Sequence, residues 1–244
     1  MKRIHIIGIA FAAIFAFSMV SASGASALTL WDECSQSATT LSFASADCNT
    51  TGSAWGWLPI AAKTPVDSLP VNLILRSTGI VTVEILCEGS QVGTVGPTGE
   101  DEITEILTLA GVAITLTNLV VCTNISGCPE PLASPENLPW KTQLVNETTE
   151  DAAGDLLGGG TKEVGYFVEC MGNGQTNECL TTDTILKVEN LEAELEVDLT
   201  FPLSTETKNL PLAVCKNELS NDGFVEGTVS ILLSNSPERA LRAD

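Results

Sequence analysis

Apolar and polar residues alternate with a period of two along most of the chain. Between Glu192 and Phe201, the residues Ala193, Leu195, Val197, Leu199 and Phe201 fall on one face, and acids plus Thr200 on the other. That is the pattern of a half-buried strand, whereas a helix would spread the acids around its circumference. Similar runs occupy residues 81–87, 112–121, 164–170, 184–189 and 227–233, separated by clusters of Gly, Pro, Asn and Ser. Beyond residue 27 no segment sustains the 3.6-residue period of a helix. The pattern predicts an all-β protein, an antiparallel sandwich or barrel-like domain.

The first 27 residues follow a different rule. Met1, Lys2 and Arg3 lead into an apolar run from Ile4 to Val20, then small residues ending in Ala25-Ser26-Ala27. This order of charged, apolar and small residues is that of a secretory signal, with cleavage after Ala27. The mature chain, 28–244, is then expected to be secreted and extracellular, with no membrane anchor. The full chain carries 11 Lys+Arg against 31 Asp+Glu, a net charge of -20, and its single histidine, His5, lies in the signal. A mature protein without imidazole cannot build a Ser-His-Asp triad, a Cys-His pair or a histidine metal site.

Export also sets the chemistry of the eight cysteines, Cys34, Cys48, Cys87, Cys122, Cys128, Cys170, Cys179 and Cys215. An even set in an oxidising compartment predicts up to four disulfides. The spacings lack the tight Cys-x2-Cys or Cys-x4-Cys knuckles of zinc sites. Cys170 and Cys179 bracket a turn-rich segment, which makes them the pair expected to close a hairpin. The Pro-rich stretch 129–139 divides the set five and three. If all eight are paired, at least one bridge crosses that stretch, so 28–244 reads as one disulfide-linked β domain. Two lobes, 28–128 and 140–244, joined by 129–139, are the alternative. A faint echo links residues 87–95 with Cys215 and 225–229: each reads as strand, cysteine, polar turn and a second strand containing Gly-Thr-Val.

Candidate chemistry is sparse. The charge disfavours nucleic acid and anionic membrane surfaces as partners. No Gly-x-Ser-x-Gly, Ser-x-x-Lys or aspartic-protease triplet occurs, and no catalytic residue or cofactor is identified. Catalysis would rest on carboxylates, as in a carbohydrate-active enzyme using two acids across a cleft. Acid clusters at Glu100-Asp101-Glu102, at Glu147 with Glu150, Asp151 and Asp155, and at Asp222-Gly223 are the places where calcium would find oxygen ligands, although none has the EF-hand order. Trp55 and Trp57 share a face if their segment is a strand, which suits a platform for a glycan or cell-wall component; closing the core of the N-terminal region is the other use.

The stretch from Trp57 to Phe167 resembles a family of uncharacterised secreted proteins of soil actinobacteria. The similarity rests on Trp57, the strand ending in Cys87, Val92-Gly93-Thr94-Val95-Gly96-Pro97, the Cys122 and Cys128 pair, residues 138–144, and the Gly-rich turn before Val164-Gly165-Tyr166-Phe167. The resemblance implies export and a β-rich fold, and no activity. The sequence therefore reads as a secreted β protein with a binding or structural role at the cell exterior, the carboxylate enzyme being the alternative.

Overall fold

The computed structural model describes residues 30–79, 82–146, 153–158, 163–182, 184–190, 195–201, 213–215 and 220–243. The signal-like segment lies outside them, as do Glu147, Glu150, Asp151 and the side chains of Asp222 and Cys215. The described residues contain strands and no helix, so the all-β expectation holds.

The architecture hangs on three strand tracks. One runs as β3 (Thr64–Ser68) and then β4 (Val71–Gly79), the second is β5 (Val83–Val95), and the third is β17 (Ser220–Leu233). The first track lies between the other two: β3 pairs with the later half of each, and β4 with the earlier half. Buried positions keep one phase at both ends of β5, at Val83 and Ile85 and again at Gly93 and Val95, and along β17 at Gly223, Val229, Ile231 and Leu233. Both long strands therefore turn one face to the interior from end to end. The first track slips by one residue at Leu69-Pro70, where Leu69 is left 41% exposed.

Two rings of strands close on that spine. The first takes β6 (Glu100–Leu107), β10 (Trp140–Asn146), β11 (Ala153–Leu157), β14 (Thr184–Asn190) and β15 (Val197–Phe201). The ladder runs β5-β6-β10-β11-β14-β15-β17, and β3 completes an antiparallel barrel. The second ring takes β7 (Val120–Val121), β8 (Thr123–Ser126), β9 (Pro131–Glu136), β12 (Val164–Cys170), β13 (Gln175–Thr181) and β16 (Ala213–Cys215). Here β8 pairs with β5 and β7 with β9, so the chain around Cys122 carries the ring across, and β16 returns it to β17. A separate small sheet, β1 (Trp31–Ser35) between β2 (Gly56–Pro59) and β18 (Leu241–Ala243), packs Trp31, Leu241 and Ala243 into the core of the first ring.

The rings are held by different means. The first encloses aliphatic side chains such as Leu144, Leu157, Leu186, Val197, Leu199, Val229 and Ile231, with no cysteine in that core. The second packs Cys122, Cys128, Cys170 and Cys179 among Leu75, Val83, Ile85, Tyr166 and Val168. Disulfides join Cys34 to Cys48, Cys87 to Cys122 and Cys128 to Cys170. Cys179 is also disulfide-bonded, and its backbone lies opposite Cys215. By loop-closure entropy the bridges spanning 35 and 42 residues each contribute about 4 kcal/mol.

Three expectations are corrected. Cys170 does not pair with Cys179: in the β12–β13 register Cys170 opposes Gln175 and Cys179 opposes Tyr166. That four-residue offset separates the two by roughly 13 Å at strand rise, beyond the reach of a disulfide, and Cys170 joins Cys128 instead, across the Pro-rich stretch. Within that stretch Pro131–Glu136 is a strand paired on both sides. Residues 112–121 are not one strand. Gly111 has φ 75°, the Asn118 N–H donates to Thr115 Oγ1, and its side-chain amide donates to the Ala113 carbonyl; these local bonds displace the ladder until Val120. Finally, residues 88–91 form no turn but continue β5, and the echo segments are the two strands that traverse both rings.

Gly227 stands where β17 passes from β4 to β15, with φ 139° and only 2.8 Å between an added Cβ and Leu73 Cδ2. Gly227→Ala should cost about 2 kcal/mol or more, measured by denaturant unfolding; a change under about 0.5 kcal/mol would show that the crossing tolerates a side chain. Mild reduction should raise amide exchange in β9, β12 and β13 before the first ring loosens, and simultaneous loss of protection in both rings would contradict the division of labour between sulfur and aliphatic packing.

Candidate functional site

Where the two rings meet, their common interior opens into a cavity of about 130 Å³. Its walls come from both sides of the spine: Val71, Leu73 and Leu75 of β4, Cys87 and Gly89 of β5, and Val225 and Val229 of β17. The first ring adds Ile106, Trp140, Leu157 and Phe201; the second adds Ala133, Val164 and Tyr166. Ile114, only 4% exposed, reaches in from the loop after β6. The Tyr166 hydroxyl donates to the Arg76 and Phe224 carbonyls at 2.9 and 3.3 Å, and Trp140 Nε1 donates to the Glu136 carbonyl at 2.5 Å. The two amphipathic rings thus have their polar ends engaged with backbone and offer apolar surface to the cavity.

Its origin is geometric. Gly89 sits where the β4 pairing of β5 ends and, on its other edge, the β6 pairing begins, and a Cβ there would come within 2.6 Å of the Leu107 carbonyl oxygen. Gly227 marks the same point on β17. Each of the two long spine strands thus presents a residue without a side chain at the junction, and nothing bulky fills the middle. Closing such a void is worth about 3 kcal/mol by the cost per cubic ångström of engineered cavities. Interiors otherwise pack at near-crystalline density, so a gap of this size marks a place where volume is kept free.

One layer deeper in the first ring lie two buried carboxyls. Asp101 of β6 and Asp155 of β11 are 7% and 2% exposed, and Thr142 of β10 stands opposite Asp101 between them. Trp31 Nε1 donates to Asp101 Oδ2 at 2.6 Å and the Gly96 N–H to Oδ1 at 3.2 Å, while Asp155 Oδ1 has no hydrogen-bond partner. Burial pushes Asp155 up to about 7 and Asp101 up to about 8, with the Asp155 charge adding to the rise at Asp101. The space beside them is about 30 Å³. That suits about one water and no sugar ring.

The residues singled out from sequence fall elsewhere. Glu100 is exposed, and Glu102 pairs with Lys141 at 3.0 Å, so the acidic triplet splits between water and core. Among the described residues no three His, Cys, Asp or Glu side chains gather as metal ligands. Trp55 and Trp57 both pack on the Cys34–Cys48 cluster. Trp57 meets Phe43 edge-on at 6.4 Å, and the Arg242 guanidinium lies 4.3 Å from its ring centroid, covering a face a sugar would need. Of the residues that matter, Asp101 and Asp155 were visible only as members of solvated-looking clusters, and Trp31 carried no signal beyond its place in a strand.

The carboxyl pair makes stability pH-dependent. Between about pH 4 and pH 8 the folded chain binds more protons than the unfolded one at these sites, so their contribution falls as pH rises through that window. Asp155→Asn should flatten the Tm profile across it and raise stability at pH 8 on the order of 2 kcal/mol; an unchanged slope would remove Asp155 as its source. No protein-family model, curated protein or solved structure matches the chain, so the geometry of these residues carries the functional reading.

Proposed function

We propose that this is an extracellular binding protein whose ligand is a small apolar molecule held in the cavity between the two rings. The observation that carries the reading is the cavity itself, walled by apolar side chains from both rings where dense packing would be more stable. The N-terminal signal pattern and the disulfides support an extracellular setting for such a protein. The described structure favours this over the carboxylate enzyme, because the only paired buried acids face a space too small for a glycoside. It also favours it over sugar stacking on Trp55 and Trp57, whose surfaces are spent on packing and on Arg242.

The cavity is close to the size of an engineered apolar one, about 150 Å³, that admits benzene. Saturating benzene should therefore raise Tm by about 5 °C. Val71→Phe, which fills the cavity from β4, should abolish that shift while leaving Tm equal or higher. Absence of a shift in the wild type, or an equal shift in the filled variant, would refute binding at this place.

A further inference from the structure

The walls of the cavity are fixed on every side but one. Among the described residues that line it, Ile114 alone lies outside a strand. Its loop joins β6 to β7 across residues 108–119, and from Leu109 to Asn118 every other residue is exposed. Leu109 and Leu116 are 59% and 61% exposed, so the outer side of the loop faces solvent. The Ile114 side chain turns inward, and its Cδ1 ends 4.0 Å from where a Cβ on Gly89 would stand. It thus occupies part of the gap that the glycine leaves at the junction.

The loop keeps its own shape while being tied lightly to the barrel. Two turns are closed internally: the Gly111 N–H donates to the Thr108 carbonyl at 2.8 Å, and Thr115 and Asn118 exchange backbone bonds at 3.0 Å. The Asn118 side-chain amide donates to the Ala113 carbonyl at 2.7 Å and locks one turn to the other. The middle of the loop is held to β6 by the Ile114 N–H, which donates to the Ile106 carbonyl at 2.8 Å. Both ends are anchored on β5, one through Leu107 opposite Ser90 and the other through the Cys87–Cys122 bridge. Lifting the loop therefore exposes one isoleucine and breaks few backbone bonds, whereas parting two strands breaks a row of them. Residues 106–129 also contain no acid or base, in a chain with 31 Asp+Glu. An apolar molecule crosses such a rim without stripping water from a fixed charge.

We infer that the 108–119 loop is the entrance to the cavity and that Ile114 is the side chain that bars it, giving way to uncharged apolar molecules. This rests on the binding reading above and adds the route by which the ligand arrives. A gate of this kind sets rates. Opening precedes both entry and exit, so loosening the closed loop speeds both and leaves their ratio unchanged.

The test follows benzene exchange on the full chain by NMR, which yields association and dissociation rates together. Asn118→Ala, at a position that does not line the cavity, is expected to raise both rates about threefold to tenfold, with Kd held within about twofold. Ile114→Ala should raise the association rate about tenfold or more. Leu73→Ala and Val71→Ala enlarge the cavity from β4; they should change Kd while the association rate stays within about twofold of the wild type. Because Asn118 is exposed, its variant keeps the test decisive if truncation at Ile114 or Leu73 impairs folding. Association rates unchanged in both Asn118→Ala and Ile114→Ala, or raised as much by the β4 variants, would overturn the gate while leaving the cavity a binding site. If benzene does not bind the wild type, both readings fall together.

Discussion

Everything in this structure depends on strands that serve two rings at once. β5 and β17 are long enough to pass through both, and the broken track β3 and β4 fits between them, so one hydrogen-bonded ladder extends from end to end. A strand shared in this way must keep one face inward throughout, because a slip of one residue would turn its core side chains to solvent. The common phase of the buried positions at both ends of β5 and along β17 from Gly223 meets that demand. The slip at Leu69-Pro70 falls where proline interrupts the ladder and the neighbouring leucine can face water.

The same constraint makes the cavity. At the level where neighbours change, a side chain on β5 would collide with the Leu107 carbonyl of β6 and one on β17 with Leu73 of β4, and glycine avoids both collisions at Gly89 and Gly227. Each glycine leaves the junction without a side chain, and the surrounding apolar residues form walls rather than a plug. Space for a ligand is therefore a by-product of joining two rings on common strands. The carboxyl pair beneath sets the polarity of the first ring's interior.

The rings solve the problem of stability separately. The first has a large aliphatic core, sealed at one end by Trp31 and the C-terminal strand, and tolerates two buried acids because burial keeps them protonated up to about neutral pH. The second has fewer large aliphatic residues and relies on covalent links, which restrict the unfolded chain. Cys87–Cys122 ties the spine to the segment that carries the ring across, and Cys128–Cys170 ties two adjoining strands, β12 and the entry to β9.

Much of the fold is legible in the chain, because a period of two is a local property: alternation at 164–170, 184–189, 197–201 and 227–233 marks strands whatever they pair with. Export chemistry likewise predicts disulfides from cysteine number and context. Where local rules compete, the reading goes astray. The apolar run 112–121 has strand composition, yet Gly111, Thr115 and Asn118 bond within it; the C-terminal residues look polar, yet Leu241 and Ala243 complete a core. Which cysteines meet is decided by register, and Cys170 sits four positions from the opposite of Cys179. Asp101 has acids on either side in sequence, and only the closure of β6, β10 and β11 into a barrel turns it inward beside Asp155. The chain by itself determined strands and charge, since each follows from neighbours or from totals. Ring closure and the cavity belong to the tertiary structure alone, because they arise where strands distant in sequence share a ladder.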